Sequence, residues 1–159
     1  MLVSFFESIK YVGHLAPVAF LRIFLGYHFF NSALERMNGG FLDEPRLAAV
    51  ISEWLPRSQG AEWYVYLLEN WVIPRWQLFA YLITYCEFIV GVSFIIGFCV
   101  RPIALLGILI CVNFIYGMGG DFVLNQVFIA IFITIAWLGG GRSVGFDYFF
   151  YKRQRGIWW

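Results

Sequence analysis

An all-α integral membrane fold, a four-helix bundle with interfacial helices in a long first loop, is the architecture this sequence predicts. Three observations carry that prediction. Four apolar runs, about 15–34, 76–98, 102–118 and 122–138, approach the roughly 20 residues that a helix needs to cross a hydrocarbon core. The 159-residue chain is 61% hydrophobic and only 13% charged, with a mean hydropathy of +0.73, far from the balance of a soluble domain. Aromatic residues make up 21% of the chain and crowd the stretch between the first two runs, as they do at membrane–water interfaces. A chain of this length holds one domain, residues 1–159.

The first run carries Arg22 about two turns inside its start. Its ten Leu, Ile, Val and Phe residues return about 3 to 6 kcal/mol on insertion, against about 2.5 to 3.5 kcal/mol for a central charge. The helix inserts, but Arg22 must snorkel to the interface or meet an anion. Ala19, Gly26 and Ala33 share its face, and small residues allow close helix approach. A second polar face runs through His28, Asn31 and Glu35. His28 is the residue type there that titrates near neutral pH and can pass a proton.

The second run places Glu87 near the middle of "LFAYLITYCEFIVGVSFIIGF". Twelve Leu, Ile, Phe and Val residues lie between Trp76 and Phe98, and their gain of about 4 to 7 kcal/mol exceeds the cost of one acid. Ala80, Thr84 and Gly91 share the Glu87 face and turn it toward another helix. With the first two spans antiparallel, Arg22 lies roughly 12 Å and Glu87 about 17 Å from one end of the bundle, at 1.5 Å per residue. An Arg22–Glu87 pair is therefore expected, either as a clamp on helix register or as a proton- or headgroup-binding site.

Pro102 suits the first turn of the third run, where proline has no hydrogen bond to lose, and Gly119-Gly120-Asp121 makes a tight return into the fourth. Asn113, Asn125 and Gln126 are candidates to complete a polar pocket with His28. Between spans one and two, residues 35–75 are too apolar for a free linker. "PRLAAVISEWL" puts Leu47, Val50, Ile51, Trp54 and Leu55 on one helical face, and "AEWYVYLLENWVIPRW" concentrates Trp63, Tyr64, Tyr66, Trp71 and Trp76. Two short interfacial helices forming an outer cap follow from this pattern.

Four spans bring both termini to one side. Lys10, Arg101, Arg142, Lys152, Arg153 and Arg155 fall on that side and Arg36, Arg46, Arg57 and Arg75 on the other, so the positive-inside rule makes both termini cytoplasmic. No small-residue cleavage site follows Lys10, so the first run is expected to stay as an anchor. A net charge of +1 without a basic stripe speaks against nucleic acid, leaving membrane lipids and other membrane subunits as partners. Cys86, Cys99 and Cys111 form no C-x-x-C pair, and no haem-ligand pair or flavin fingerprint stands out. No metal, haem or flavin is indicated.

The stretch "FLRIFLGYHFFNSALERM", with Leu21, Arg22, Gly26, Glu35 and Arg36, resembles the first span of the DoxX/DoxD group of small four-span membrane proteins. The likeness continues in Glu87 and Gly91, in "GFCVRP" with Gly97, Arg101 and Pro102, and in "GGGRSVGFDYFF" with Gly139 to Arg142, Gly145 and Asp147. The loop from Asp43 to Trp71 looks more like the DoxD type, the small subunit of thiosulfate:quinone oxidoreductases. The resemblance implies an integral subunit of a quinone-linked oxidoreductase complex in a bacterial or archaeal plasma membrane. In that setting Arg22, His28, Asn31, Glu35 and Glu87 are the candidate residues for holding a quinone. The alternative is a non-catalytic accessory or scaffold subunit whose polar core only fixes the fold. A small transporter fits less well, since no inverted repeat or broken-helix pair is evident. At the cytoplasmic end, Arg142 and Asp147 are expected to cap the last helix, with the basic residues beyond them meeting anionic lipid.

Overall fold

The computed structural model describes residues 16–58, 60–119, 121–139 and 145–147, and every regular element among them is helical. Helix α1 spans Ala16–Asn38. The cap follows as α2, Arg46–Trp54, a 3-10 turn at Leu55–Arg57 and α3, Glu62–Leu67. A π turn at Leu68–Val72 and a 3-10 turn at Ile73–Arg75 then lead without a break into α4, Trp76–Ile96. Pro74 accounts for the irregular joint, because it has no N–H to give to a regular helix. Helices α5, Val100–Gly117, and α6, Phe122–Leu138, complete the bundle.

The four long helices close a ring, α1 against α4, α4 against α5, α5 against α6, and α6 back against α1. The most extensive contact joins α1 to α4. A Cβ at Gly26 would stand 2.8 Å from the Ile95 nitrogen, and one at Gly91 would stand 2.6 Å from the Phe30 nitrogen. Both separations are too short for real atoms, so the two backbones touch only because these positions have no side chain. Ala19, Ala33, Ala80 and Thr84, on the small-residue faces of these two helices, are buried as well. Across the ring, the Phe132 ring occupies the space above Gly107, within a core that includes Leu25, Phe29, Val90, Phe94 and Phe128.

Outside this core the surface is apolar. Phe20, Phe24, Leu78, Leu82, Leu105, Leu109, Ile133 and Trp137 all face outward. The continuous helix Glu62–Ile96 and helix Val100–Gly117 are long and apolar enough to cross a membrane, yet only 33% of each apolar window is buried. A core helix of a soluble protein would hide most of that surface. Helix α6 is apolar but 17 residues long, and α1 carries Arg22, His28 and Asn31 within its 23 residues. Two of the four expected spans therefore meet the test of length and composition directly.

The cap has the two expected helical stretches, but the second is not a separate short helix: it runs on into α4 as one helix, Glu62–Ile96, and the buried face of α2 differs from the expected one. Leu47 and Ile51 are buried against Leu68, Val72 and Ala80, with Trp76 and Phe79 beside them, whereas Val50 is exposed. Gly119, at φ +63°, lies against the Trp54 ring, and the Ser58 hydroxyl donates to the Tyr116 carbonyl at 3.2 Å. The return after α5 is thus held by the cap as well as by its glycine. Helix α6 begins with the Asp121 carboxylate accepting from the Leu124 N–H at 2.9 Å, an N-cap bond.

Candidate functional site

Helix α1 runs one turn past the expected end at Leu34, and that turn changes the chemistry of the core. Glu35 and Arg36 read as loop residues by charge, but both are helical. The Arg36 guanidinium nitrogen lies 3.3 Å from a Glu87 carboxylate oxygen. The Phe41 and Phe114 rings flank the guanidinium with centroids 5.1 and 4.9 Å from its carbon, so cation–π contacts stabilise the charge on both sides.

The expected Arg22–Glu87 pair does not form. In the observed register Arg22 sits over Gly97, with Gly26 and Phe30 meeting residues nearer Glu87. Gly97 is ten residues from Glu87 along the chain, roughly 15 Å at the helical rise, beyond the reach of an arginine side chain. Arg22 is fully buried, with the Asp147 carboxylate nearby.

Asp147 organises that end of the bundle. Its two carboxylate oxygens accept from the backbone N–H groups of Cys99 at 2.7 Å and Val100 at 3.1 Å, and its own N–H donates to the Gly97 carbonyl at 3.0 Å. The helix it caps is therefore α5, not the last helix; Arg142, its expected companion, lies outside the described residues. Gly97 ends α4 at φ +77°, and Cys99 enters α5 at φ +50°, a left-handed conformation that a non-glycine residue adopts only at a cost. Burial and the Asp147 carboxylate push the Cys99 thiol up, which keeps it a thiol and a poor nucleophile.

On the other side of Glu87 all four long helices contribute to a half-open pocket of about 110 Å³. His28, Phe29 and Ser32 come from α1, Glu87 from α4, Phe114 from α5, and Leu124, Asn125 and Phe128 from α6. Glu87 is 1% exposed, and among the described residues neither carboxylate oxygen accepts a hydrogen bond. The His28 ring rests 4.7 Å from the Phe128 ring, centroid to centroid, and edge-on to Phe29. Asn125 is buried, and its side-chain nitrogen donates to the Asp121 carbonyl at 2.8 Å.

Of the five residues expected to form one site, the structure brings two, His28 and Glu87, to this pocket. Asn31 and Glu35 are exposed on the neighbouring face of α1, where the Asn31 amide donates to the Glu35 carboxylate at 2.7 Å. Arg22 belongs to the opposite end. Asn125 joins the pocket as expected, whereas Gln126 is exposed and Asn113 lies near Gly117. Ser32 and Arg36 were legible only as neighbours of His28 and Glu35 at helical spacing. Among the described residues no group of three or more His, Cys, Asp or Glu side chains is placed to hold a metal ion.

An outward apolar surface around a small, charged interior defines a class of compact helical bundles built for lipid. The chain belongs to the DoxX family, whose family model matches residues 18–120. That stretch includes α1, the cap, α4 and α5, while α6 and Asp147 lie beyond it. No curated protein and no solved structure matches the chain.

Proposed function

We propose that this chain is a four-span integral membrane subunit of a quinone-linked oxidoreductase complex, with both termini cytoplasmic, that receives a quinone headgroup in the pocket at Glu87. One observation carries the reading: a carboxylate 1% exposed, with no hydrogen bond to its oxygens, faces a ring-sized opening between apolar helices. Carboxylate oxygens without hydrogen bonds at that depth are costly even beside the Arg36 charge, and in a membrane protein buried ionisable groups mark sites of binding or proton movement.

The residues present suit such a headgroup. Phe29, Phe114 and Phe128 offer ring faces, and His28 and Ser32 supply hydrogen-bond donors. A quinone would supply two-electron, two-proton chemistry there. The chain's own part is to orient the ring, exclude water and hold a proton near Glu87 or His28. The Arg36 guanidinium keeps the carboxylate from standing alone.

The accessory reading draws on a different observation. Arg36, Glu87, Phe41 and Phe114 form a closed clamp between α1, α4 and α5, which is what fixing helix register requires. In addition, Trp63, Tyr66 and Trp71 face outward from the cap, available to lipid or a larger subunit.

Mass spectrometry of the protein, gently extracted from its native membrane, separates the two. The quinone reading expects a stoichiometric quinone with the wild type and its loss in a folded Glu87→Gln variant. Recovery inside a larger assembly with no quinone of its own favours the scaffold.

A further inference from the structure

The pocket has a polarity of its own. Its most buried polar group is the Glu87 carboxylate, whose two oxygens accept no hydrogen bond among the described residues. Asn125, on the same lining, spends one N–H on the Asp121 carbonyl at 2.8 Å and keeps one donor and its acceptor oxygen. The other donors, His28 and Ser32, both come from α1, and His28 is exposed at the mouth. Glu87 is the least exposed polar residue on the lining, and a carboxylate can only accept.

Charge narrows the occupant further. The Arg36 guanidinium, 3.3 Å away, balances Glu87, so the pair is net neutral. A cation would find its counter-charge already matched, and an anion would face the carboxylate directly. A neutral group that donates a hydrogen bond loses nothing on entry and satisfies an acceptor otherwise buried at a cost. A closed cavity of about 150 Å³ takes benzene, so this half-open pocket of about 110 Å³ with aromatic walls admits one edge of a single ring and leaves the rest at its mouth.

We infer that the pocket selects a neutral aromatic ring bearing a hydroxyl donor, with that hydroxyl bonded to Glu87. This rests on the quinone reading and sharpens it: the site holds the hydroquinone in preference to the quinone, whose carbonyl oxygens only accept. A hydrogen bond to a charged acceptor makes the preference about ten- to hundredfold in affinity.

The test uses the full chain in lipid nanodiscs under anaerobic conditions, with binding read by calorimetry. Three probes share one skeleton: tetramethyl-1,4-hydroquinone, the matching quinone, and the hydroquinone dimethyl ether. Ring methylation keeps the quinone from adding to the free cysteines. The hydroquinone is expected to bind best and the ether to behave like the quinone, with the gap narrowing in Glu87→Gln. Leu124→Trp, at an exposed position on the pocket wall, is expected to block all three probes without disturbing Glu87, which covers the case in which Glu87→Gln fails to fold. Quinone or ether binding as tightly as hydroquinone would overturn the donor preference and leave the pocket reading intact. Failure of every probe to bind the wild type would remove the pocket reading as well.

Discussion

Arg36 and Glu87 approach to 3.3 Å although one stands near the end of its helix and the other near the middle of its own. The antiparallel register, with Gly26 against Ile95 and Phe30 against Gly91, brings the two to nearly one level, and the guanidinium also packs on the Phe41 and Phe114 rings. Buried pairs of this kind contribute little net stability, but breaking one leaves a lone charge behind.

Arg36→Met is therefore expected to destabilise the protein by about 3 to 5 kcal/mol. The double variant Arg36→Met with Glu87→Leu should recover much of that loss. Thermal unfolding in detergent, compared across the two variants, checks this. A double variant no more stable than the single one would mean that the pair is not the source of the cost.

The α1–α4 seam has no room at Gly91, where an added Cβ would stand 2.6 Å from the Phe30 nitrogen and 2.7 Å from its Cα. Because the obstacle is backbone, the helices must part. Gly91→Ala should cost about 1 to 3 kcal/mol, the usual range for overpacking. Protein yield and unfolding temperature report it, and an unchanged temperature would contradict the close approach.

At the opposite end, Asp147 holds two N–H groups at the start of α5. Asp147→Ala removes both bonds and should cost about 0.5 to 2 kcal/mol as a lost cap, with a further penalty from Arg22 losing a nearby anion. Asp147→Asn, which keeps one acceptor oxygen, should fall between alanine and wild type. An alanine variant as stable as wild type would rule out the cap.

Tyr64 offers a prediction of opposite sign. Its hydroxyl is buried against the Gly117 position and has no hydrogen-bond partner among the described residues, so deleting it removes a desolvation cost with no bond lost. Tyr64→Phe is expected to leave stability within about 0.5 kcal/mol of wild type or to raise it. A clear loss on unfolding would show that the hydroxyl has a partner in the membrane.

Periodicity gave away most of the bundle. The expected run at 122–138 coincides with α6, and the runs at 76–98 and 102–118 match α4 and α5 to within about two residues. The seams of Ala19, Gly26, Ala33, Ala80 and Gly91 were also legible, because a small residue at helical spacing in an apolar run has few other uses. Register was not. Which residue of α1 stands level with Glu87 depends on how two backbones slide against each other, and Gly26 and Gly91 fix that only once both are in place. Charge misled the reading at Glu35 and Arg36, where hydropathy ends the span but hydrogen bonding carries the helix on to Asn38. Asp147 was assigned to the wrong helix because its partners, Cys99 and Val100, lie almost fifty positions away.

Because the helical run from Glu62 to Ile96 is unbroken, the cap and the Glu87 wall share one rotational phase. Each residue added or removed in that run turns everything on one side by about 100° relative to the other, so a single-residue insertion would swing Tyr64 away from Gly117 or Glu87 away from Arg36. The π turn at Leu68–Val72 is where such an offset has already been absorbed. Length in this part of the chain is therefore quantised, and drift in the cap must proceed by whole turns or by a second irregularity that restores the angle.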